Sequence, residues 1–390
     1  MDEASDLRPE SWTVSSNTAV RLSFVDEEGA VQFSPTFTYP IYGDSEQIFG
    51  YKDLQILLAF DSVTFKPFFN VKYEAKLADI DEDVQTKALK VLPEGDVVVK
   101  DEIAWVDAFN KERESFDLPG EDKKIASYNR EGQDFVVYRV DLRDKNVRKL
   151  HRRMQIFTLF LIESASYIDE HDEGWELYMS FNTGNKKCVG YSTTYKYWKY
   201  MGAESFDSTE KTVQTGKISQ FLIFPPYQSK GHGSELYNAI FNDWIKDTSV
   251  FEVTVEDPNE EFDSLRDRND LKRLYVSGIA NKIPQELPIS DEWIETQRSA
   301  FKLEKRQFQR LLEMLLLYTS SPNFRLQVKK RLYEKNFDLL VDLDAPTRND
   351  KLQTAFLSIK DEYDTILASL KLKRQEEFDS AQVSKKIKSK

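Results

Sequence analysis

The sequence has few of the residues on which several kinds of site depend. Its 390 residues include one cysteine, Cys188, and three histidines, His151, His171 and His232. A single cysteine excludes an intrachain disulfide and any metal site built from several cysteines, and it is typical of a reducing compartment. The histidines are scattered without the spacing of metal ligands, so we expect no bound metal.

Long apolar runs and a positive net charge are also missing. The longest apolar stretches, near residues 156–162 and 311–317, are well below the roughly 18 residues that span a bilayer. The N-terminus, MDEASDLRPE, resembles neither a secretory signal nor a mitochondrial presequence. The net charge of −13 argues against a nucleic-acid surface and suits a basic partner, although acidic soluble proteins are common without one. We expect an intracellular, soluble protein that binds neither membrane nor nucleic acid directly.

The order of predicted elements indicates two or three domains with an α/β centre. Short strands prevail up to about residue 110, with a longer one in LQILLAFDSVTFKPFFNVKYEAKL, and proline at 35, 40 and 67 breaks the runs. Helical periodicity predicts a helix over residues 149–168. Strands then follow in WELYMSFN, CVGYSTTYKYW and KISQFLIF, before a helix in SELYNAIFNDWIK and a strand in FEVTVE. Beyond residue 260 the pattern is mostly helical, and the lysine-rich end SKKIKSK is expected to be disordered.

A glycine-containing turn, QSKGHG at residues 228–233, lies between the strand KISQFLIF and a helix. Glycine lets the backbone approach a ligand closely, and the free N–H groups at a helix start bind phosphate oxygens. The turn lacks the Gly-Lys-Ser/Thr of a P-loop and the third glycine of a dinucleotide-binding motif. The pattern that remains is Gln-x-x-Gly-x-Gly between strand and helix.

That pattern resembles the pyrophosphate loop of the GCN5-related N-acetyltransferase superfamily. The phrases FTYPIYGDSE, MQIFTLFLIE, QFLIFPPYQSKGHG and VEDPNEEFDSLRDRND, spread from about residue 31 to 320, further resemble the fungal type B histone acetyltransferases. The resemblance implies an α/β (α+β) fold with a mixed, mostly antiparallel sheet. It also implies an N-terminal strand-rich domain (1–115, substrate side), an acetyl-CoA-binding core (116–270), a C-terminal helical domain (271–320) and a helical extension (321–390).

The same resemblance implies acetyl-CoA as the cofactor and supplies the residues that contact it. The strand residues would pair through their backbone with the acetyl and pantetheine parts, and the turn would hold the pyrophosphate. The residues implied are Phe221, Leu222, Ile223, Gln228, Ser229, Lys230, Gly231, His232, Gly233, Ser234, Asn259 and Arg268. From the residues alone, the strand is equally well interpreted as a buried central strand, and both interpretations can hold.

Acetyl transfer to lysine needs a base, because the amine has an ordinary pKa of about 10.4 and only its neutral form attacks. In FEVTVE, alternation places Glu252, Thr254 and Glu256 on one face, with Glu256 at the carboxyl end. Periodicity alone favours a solvated strand end. The resemblance instead implies that Glu256 is the general base, acting through water, with Glu163 and Asp257 beside it.

The resemblance also implies contacts with a histone tail. The residues implied are Asp44, Ser45, Glu46, Trp175, Tyr195, Lys196 and Tyr197. A turn with two carboxylates suits basic side chains, and aromatic rings suit cations or apolar groups. An aromatic edge strand packed on the core is the alternative for YKYWKY. The segment WKYMGAESF, residues 198–206, resembles the contact with a WD-repeat histone-chaperone subunit.

The sequence therefore predicts an acetyltransferase for lysines in the N-terminal tail of newly made histone H4, present in cytoplasm and nucleus. Two alternatives stay open. An acetyltransferase for a small amine would rarely need the N-terminal strands and the acidic turn. A non-catalytic histone-binding module would not need the intact glycine turn and Glu256.

Overall fold

The computed structural model describes residues 8–78, 80, 83–207, 213–286 and 288–388, with only the backbone for 205, 206 and 371–388. Contacts divide the chain into two units, Met1–Tyr197 with Lys217–Asp243, and Trp198–Gly216 with Trp244–Lys390. The four-part division expected from the sequence stays a prediction. So does disorder at the lysine-rich end, where the helical backbone continues to Lys388 and residues 389–390 lie outside the described part.

The described chain alternates short strands and helices up to residue 255 and is helical beyond it. The strands are β1 (Thr13–Ser15), β2 (Val20–Asp26), β3 (Gly29–Phe33), β4 (Gln47–Phe49), β5 (Tyr51–Lys52), β6 (Gln55–Asp61), β7 (Pro67–Lys72), β8 (Ala75–Lys76), β9 (Val98–Val99), β10 (Lys124–Arg130), β11 (Gln133–Asp141), β12 (Trp175–Asn182), β13 (Cys188–Trp198), β14 (Gln214–Ile223) and β15 (Val250–Val255). The α-helices are α1 (Ser16–Ala19), α2 (Tyr39–Tyr42), α3 (Val84–Val91), α4 (Glu102–Glu114), α5 (Lys145–Met154), α6 (Ile156–Leu161), α7 (Ala203–Asp207), α8 (His232–Lys246), α9 (Glu260–Val276), α10 (Asp291–Ala300), α11 (Lys305–Tyr318), α12 (Phe324–Lys335), α13 (Phe337–Leu340) and α14 (Ala345–Lys388).

The N-terminal sheet of the first unit has the order β3-β2-β6-β7-β9. The single long strand predicted across residues 54–77 is wrong, because the chain turns back between β6 and β7, which pair antiparallel. The turn contains no glycine or proline. Instead the Asp61 carboxylate accepts the N–H of Thr64 at 2.6 Å, and Phe65 adopts a left-handed φ of 53°. A side-chain acceptor that replaces a backbone partner is enough to reverse the chain here.

The second sheet of this unit runs in the order β10-β11-β12-β13-β14. From β10 to β13 each neighbouring pair is antiparallel, with Phe135 opposite Asn182 and Trp175 opposite Tyr195. The alternating patterns in WELYMSFN and CVGYSTTYKYW predicted β12 and β13 at their observed bounds. The expected fold class, a mixed α/β fold with a mostly antiparallel sheet, is confirmed.

Buried phenylalanines fix the end of β14 within the first unit. The ring of Phe224, which follows β14, lies 5.3 Å from Phe24 of β2, 5.1 Å from Phe157 of α6 and 5.3 Å from Phe65. All four side chains are buried. Aromatic pairs at these distances add directional packing to the burial of apolar area. The residues before Phe224 are therefore held in place from the core side.

The helix predicted over residues 149–168 is wrong beyond residue 161. It forms as α5 and α6, and the chain turns extended at Ile162. Ser164 then adopts a left-handed φ of 58° and donates its N–H to the Tyr39 hydroxyl at 2.6 Å. That tertiary hydrogen bond takes the place of a helical one, which a local periodicity cannot reveal.

The second unit contains β15 and the helices from α9 onwards. Next to β15, the N–H of Gln214 donates to the Ser249 carbonyl at 2.8 Å. Its helices pack around buried charges as well as apolar side chains. Glu313 accepts two bonds from Arg331, both 2.7 Å, and one from the Tyr363 hydroxyl at 2.8 Å. Such fully bonded charges specify one packing of the helices. Among the helices described, none is long and apolar enough to cross a membrane.

Candidate functional site

The phosphate turn, residues 228–231, follows β14 and a short 3-10 turn, Pro225–Tyr227, and leads into α8. Ser229 and Gly231 adopt left-handed φ angles of 60° and 88°. The Gln228 side-chain amide donates to the Ile223 carbonyl at 2.8 Å, which ties the turn to the end of β14. The turn is therefore shaped by its own backbone and side chains before any ligand is considered.

The residues of the phosphate turn fit the pyrophosphate of the predicted cofactor. The start of a helix presents N–H groups that suit an anion, and the dipole of the 15-residue helix α8 favours negative charge at this end. A Cβ added at Gly231 would lie 3.2 Å from the Arg130 guanidinium. The φ angle favours glycine here, and a Cβ would also require the Arg130 guanidinium to shift by a few tenths of an ångström. Glycine lets a ligand approach the backbone N–H groups closely.

The strand before the turn has the alternation of a sheet strand with one buried face. Leu222 is buried, whereas Phe221 and Ile223 are half-buried. Gly190 of β13 lies against this strand, because a Cβ there would be 2.5 Å from the Leu222 carbonyl oxygen. The Ser192 hydroxyl donates to the Gln220 carbonyl at 2.8 Å. β13 thus holds the backbone of residues 220–222 closely, and the pairing of residues 221–223 with the cofactor stays a prediction.

His232 begins α8, and its side chain is 3 % exposed. Its Nδ1 lies 2.9 Å from the Tyr128 hydroxyl, which in turn lies 2.7 Å from the Ser180 hydroxyl. Burial and the nearby cations of Arg130 and Lys230 lower the pKa of His232. The resemblance implied His232 only as one of the residues that contact the cofactor. The part played by β10 was missed, because nothing in the pattern of β10 indicates a partner about a hundred residues away.

The carboxylate segment, residues 256–259, follows β15 in the second unit. Glu256 and Asp257 are exposed, and Asp257 has a left-handed φ of 36°. Asn259 caps α9, its side-chain oxygen accepting the N–H of Phe262 at 2.9 Å. Arg268 lies within α9 and donates a hydrogen bond to the Ser264 hydroxyl at 2.6 Å. The structure groups these four residues within one unit, and their catalytic and cofactor roles stay predictions.

Glu252 of β15 is not on an exposed polar face, although the alternation with Thr254 and Glu256 suggested one. Its side chain is 9 % exposed and forms ion pairs with Lys199 and Arg298, the latter at 2.9 Å. Both cations also lie over the Phe251 ring. Alternation predicted Glu252 and Glu256 alike, but only Glu256 remains exposed. The distant cations that explain the difference leave no signal in the local sequence.

Glu163, which the resemblance placed beside the general base, is exposed in the turn after α6. It belongs to the first unit with the phosphate turn and the strand before it, whereas the carboxylate segment belongs to the second. The unit to which each carboxylate belongs does not show which of them accepts the proton. The roles of Glu163, Glu256 and Asp257 therefore stay predictions.

The acidic turn at residues 44–46 contains two different carboxylates. Asp44 and Ser45 are exposed. The carboxylate of Glu46 accepts the N–H groups of Thr38 at 2.7 Å and Tyr39 at 3.1 Å, and the Asn17 amide at 2.6 Å. The hydrogen bond from Thr38 is the main cause that lowers the pKa of Glu46. Glu46 thus shapes the turn, and its contact with a histone tail stays a prediction.

The predicted aromatic contacts lie at one end of β12 and β13. The rings of Trp175 and Tyr195 meet edge to face at 5.0 Å. Tyr195 packs over Gly174, where a Cβ would be 2.5 Å from its ring. Lys196 pairs with Glu176 at 3.7 Å, and Tyr197 is 42 % exposed. A half-buried pair with an exposed ring at its edge is compatible with a groove, which stays a prediction.

Known proteins resemble this chain over nearly its whole length. Residues 12–163 match the family described as histone acetyl transferase HAT1 N-terminus, and residues 267–321 match the fungal HAT1 C-terminal family. The histone acetyltransferase type B catalytic subunit of Kluyveromyces lactis is 59 % identical over 97 % of both chains. That of Eremothecium gossypii is 56 % identical over 95 % of both. The chain belongs to the type B histone acetyltransferase family.

Solved structures resemble this family member only weakly. An aminoglycoside acetyltransferase from a soil metagenome has a TM-score of 0.25 and 17 % identity, covering 36 % of this chain and 85 % of that chain. Arabidopsis thaliana Naa50 in complex with a bisubstrate analogue also has a TM-score of 0.25, at 19 % identity, covering 33 % and 79 %. Similarity of this size supports no conclusion about function.

This histone acetyltransferase is an enzyme, and acetyl-CoA is its cofactor. Its one cysteine does not offer a thiolate. Cys188 begins β13 and is buried, and burial raises the pKa of its thiol to about 12. A thiol in such surroundings is a poor nucleophile at neutral pH.

The predicted partner segment, residues 198–206, exposes Trp198, Tyr200 and Met201 within the second unit.

Proposed function

We propose that the enzyme transfers acetyl groups to lysine ε-amines in the N-terminal tail of newly made histone H4, by direct attack with Glu256 as general base. The observation that carries the proposal is the phosphate turn, in a chain that aligns with type B catalytic subunits over nearly its full length. Acetyl transfer to histones follows from the family. The H4 tail, the base and the direct attack are the parts that need testing.

Acetyl-CoA supplies an activated thioester carbonyl when it is bound. The N–H groups of the phosphate turn and of the first turn of α8 would hold its pyrophosphate. The backbone of residues 221–223 would pair with the pantetheine and acetyl parts. Main-chain N–H groups of this strand would stabilise negative charge on the carbonyl oxygen during attack, a large contribution when the donors are already in place.

A base is needed because only about one lysine amine in a few thousand is neutral at pH 7. Glu256 is exposed at the end of β15, where a carboxylate can reach a substrate amine directly or through one water. Asp257, with its left-handed backbone, and Glu163 in the first unit are the second candidates. Glu252 is unsuited to this role, because Lys199 and Arg298 already engage its carboxylate.

The acceptor side is proposed from charge and aromatic surface. The exposed carboxylate of Asp44 and the rings of Trp175 and Tyr197 offer contacts to basic and apolar tail residues. The exposed rings of Trp198 and Tyr200 suit a protein partner, which we propose to be a WD-repeat histone-chaperone subunit. The cytoplasm and nucleus are the proposed compartments.

The test is acetyl transfer to a histone H4 tail peptide, with Glu256→Gln compared against the native enzyme. We expect kcat to fall about 10²–10⁴-fold at neutral pH. Part of this loss should be recovered at high pH, where more of the amine is neutral. Glu261→Gln, the same change at an exposed position in the first turn of α9, is the matched control. Near-native kcat for Glu256→Gln at every pH would refute the base assignment, and Glu163→Gln and Asp257→Asn would be tested next.

Two competing functions give different results in the same assay. An enzyme for small amines would acetylate polyamines in preference to the H4 tail peptide when both are present. A non-catalytic histone-binding protein would show no heat of binding with acetyl-CoA in calorimetry. Mass spectrometry of the peptide identifies the acetylated lysines if transfer occurs.

A further inference from the structure

Two side chains of β10 point at the phosphate turn and the start of α8. Tyr128 and Arg130 are two residues apart and therefore lie on the same face of the strand. Tyr128 contacts His232, and Arg130 contacts Gly231. One edge strand thus reaches two successive residues, one at the end of the turn and one at the start of the helix.

The first contact is a chain of polar groups. The hydroxyl of Ser180 on β12, the hydroxyl of Tyr128 and Nδ1 of His232 follow one another at 2.7 and 2.9 Å. Ser180 is fully buried and His232 nearly so. Phe135 packs edge-on against the His232 ring at 4.6 Å and stacks on Tyr128 at 5.2 Å. The His232 side chain, and the N–H at the head of α8 with it, is thereby fixed to the sheet.

The second contact is the Arg130 guanidinium, which packs against Gly231. Its carbon and Nε would both lie 3.2 Å from a Cβ at that position. Arg130 pairs with Glu235 in the first turn of α8. Its Nε is buried and has no hydrogen-bond partner in the part of the chain that the structure describes. The guanidinium therefore covers the turn glycine on one side and is anchored to the helix on the other.

We propose that Tyr128 and Arg130 are positioning residues: they hold Gly231 and His232 in the conformation that receives the pyrophosphate of the donor. This proposal rests on the proposed binding of acetyl-CoA at the phosphate turn. Neither residue touches the thioester or the lysine in this role. Their effect is on donor affinity, because a turn that is already formed loses less conformational entropy when its N–H groups bind an anion.

Tyr128→Phe is the most direct test, because the phenyl ring keeps the stack on Phe135 and loses only the hydroxyl. One side of this stack borders a cavity of about 400 Å³ rather than the core, so the change should leave the fold intact. We expect KM and Kd for acetyl-CoA to rise about tenfold, as the loss of one buried hydrogen-bonding group predicts. We expect kcat to stay within about twofold.

A truncated donor distinguishes positioning of the pyrophosphate from general damage. Acetyl-pantetheine has the thioester and pantetheine but no phosphate, so kcat/KM with this donor should be the same for the native enzyme and Tyr128→Phe. Arg130→Lys keeps the charge and loses the planar face, and it should show the same selective loss with acetyl-CoA. Equal losses with both donors, or no loss with either, would overturn the proposal.

Tyr138→Phe is the matched control. Tyr138 lies on β11, borders the same cavity, and within the described residues its hydroxyl makes no hydrogen bond to α8. The Tyr138→Phe variant should bind acetyl-CoA with the affinity of the native enzyme. If the native enzyme itself bound no acetyl-CoA in calorimetry, the proposed function would fail. If it bound and Tyr128→Phe bound equally well, only the positioning role would fail.

Discussion

After β14 the chain enters the phosphate turn, which is held by the Gln228 amide, by the Arg130 guanidinium over Gly231 and by buried His232. After β15 it enters the carboxylate segment, where Glu256 and Asp257 are exposed. That segment ends in Asn259, which caps α9. The turn after β14 is held against buried side chains, whereas the segment after β15 carries its two carboxylates on the surface.

The difference matches two kinds of chemistry. A turn that binds a constant anionic group gains affinity from being formed in advance. A carboxylate that takes a proton from a varying peptide needs access to it, either directly or through water. Substitutions around the phosphate turn should therefore change donor affinity. Substitutions at Glu256 should change the rate, and substitutions at the limits of the carboxylate segment should change stability.

Replacing Gly231 should give the largest effect on the first region. Gly231→Val forces a β-branched residue into a φ of 88° and places its Cβ 3.2 Å from the Arg130 guanidinium. Left-handed backbone alone costs roughly 1–2 kcal/mol for a residue with a Cβ. Together with displacement of the guanidinium, we expect acetyl-CoA affinity to fall about a hundredfold, measured by calorimetry.

Gly132→Val separates the effect of left-handed backbone strain from the effect of a change within the phosphate turn. Gly132 in the turn between β10 and β11 also has a left-handed φ, 77°, but nothing lies within 4 Å of a Cβ there. This variant should lose some stability and keep native donor affinity. Equal losses of affinity in the two variants would show that the phosphate turn is not a distinct binding element.

Glu252→Gln should lower stability, in contrast with Glu256→Gln four residues away. Glu252 is the shared partner of Lys199 and Arg298, and Arg298 is itself buried. Removing the charge takes one partner from Lys199 and one from Arg298, which keeps its ion pair with Glu295. We therefore expect the free energy of unfolding to fall by about 2 kcal/mol in urea denaturation. Glu256→Gln should lose less stability than Glu252→Gln, because Glu256 is exposed. A destabilised Glu256→Gln with an unaffected Glu252→Gln would reverse the assignment of the two glutamates.

The parts of this fold that sequence could predict are those with local causes. β12, β13 and the phosphate turn follow from alternation and from glycine. Pro67 was expected to break this run and begins β7, but the full reversal was missed because Asp61 and Phe65 make it before the proline and without glycine. The early end of α6 was missed because Tyr39, more than a hundred residues away, binds Ser164.

The same reason limits what could be predicted about the site. Gln228–Ser234 stood out because their types and spacing suit a phosphate. Tyr128 and Arg130 did not, since an ordinary edge strand contains such residues, and only the fold brings them to Gly231 and His232. The charge partners of Glu252 likewise come from distant parts of the chain.

Acid should affect the unit that contains the phosphate turn through a buried histidine. His151 of α5 is fully buried, and burial lowers its pKa from 6.5 to about 4. Neither ring nitrogen has a hydrogen-bond partner among the described residues. The unfolded chain takes up a proton as pH falls below 6.5 and the folded chain does not, so stability is present above 6.5 and lost towards pH 4. The loss between pH 7 and pH 5 should be about 2 kcal/mol.

His151→Phe should remove this part of the pH dependence of the free energy of unfolding, compared at pH 7 and pH 5. His171→Gln, at an exposed histidine, is the comparison variant. The second unit contains no histidine, so this acid-sensitive step belongs to the first unit. An unchanged slope in His151→Phe would mean that His151 takes up its proton over the same pH range in the folded and unfolded chains.

Substitutions of Asn259, the last residue of the carboxylate segment, should have the smallest effect on stability. They also distinguish a residue that only caps α9 from one that contacts acetyl-CoA. Asn259→Ala removes the side-chain acceptor for the Phe262 N–H and should lower the free energy of unfolding by about 1 kcal/mol. Asn259→Asp keeps an equally good cap and should keep native stability. If Asn259 also contacts acetyl-CoA, both variants raise KM for the donor, the aspartate by adding charge near its phosphates. A native KM in Asn259→Asp would restrict Asn259 to capping α9, and donor binding would then depend on the phosphate turn without it.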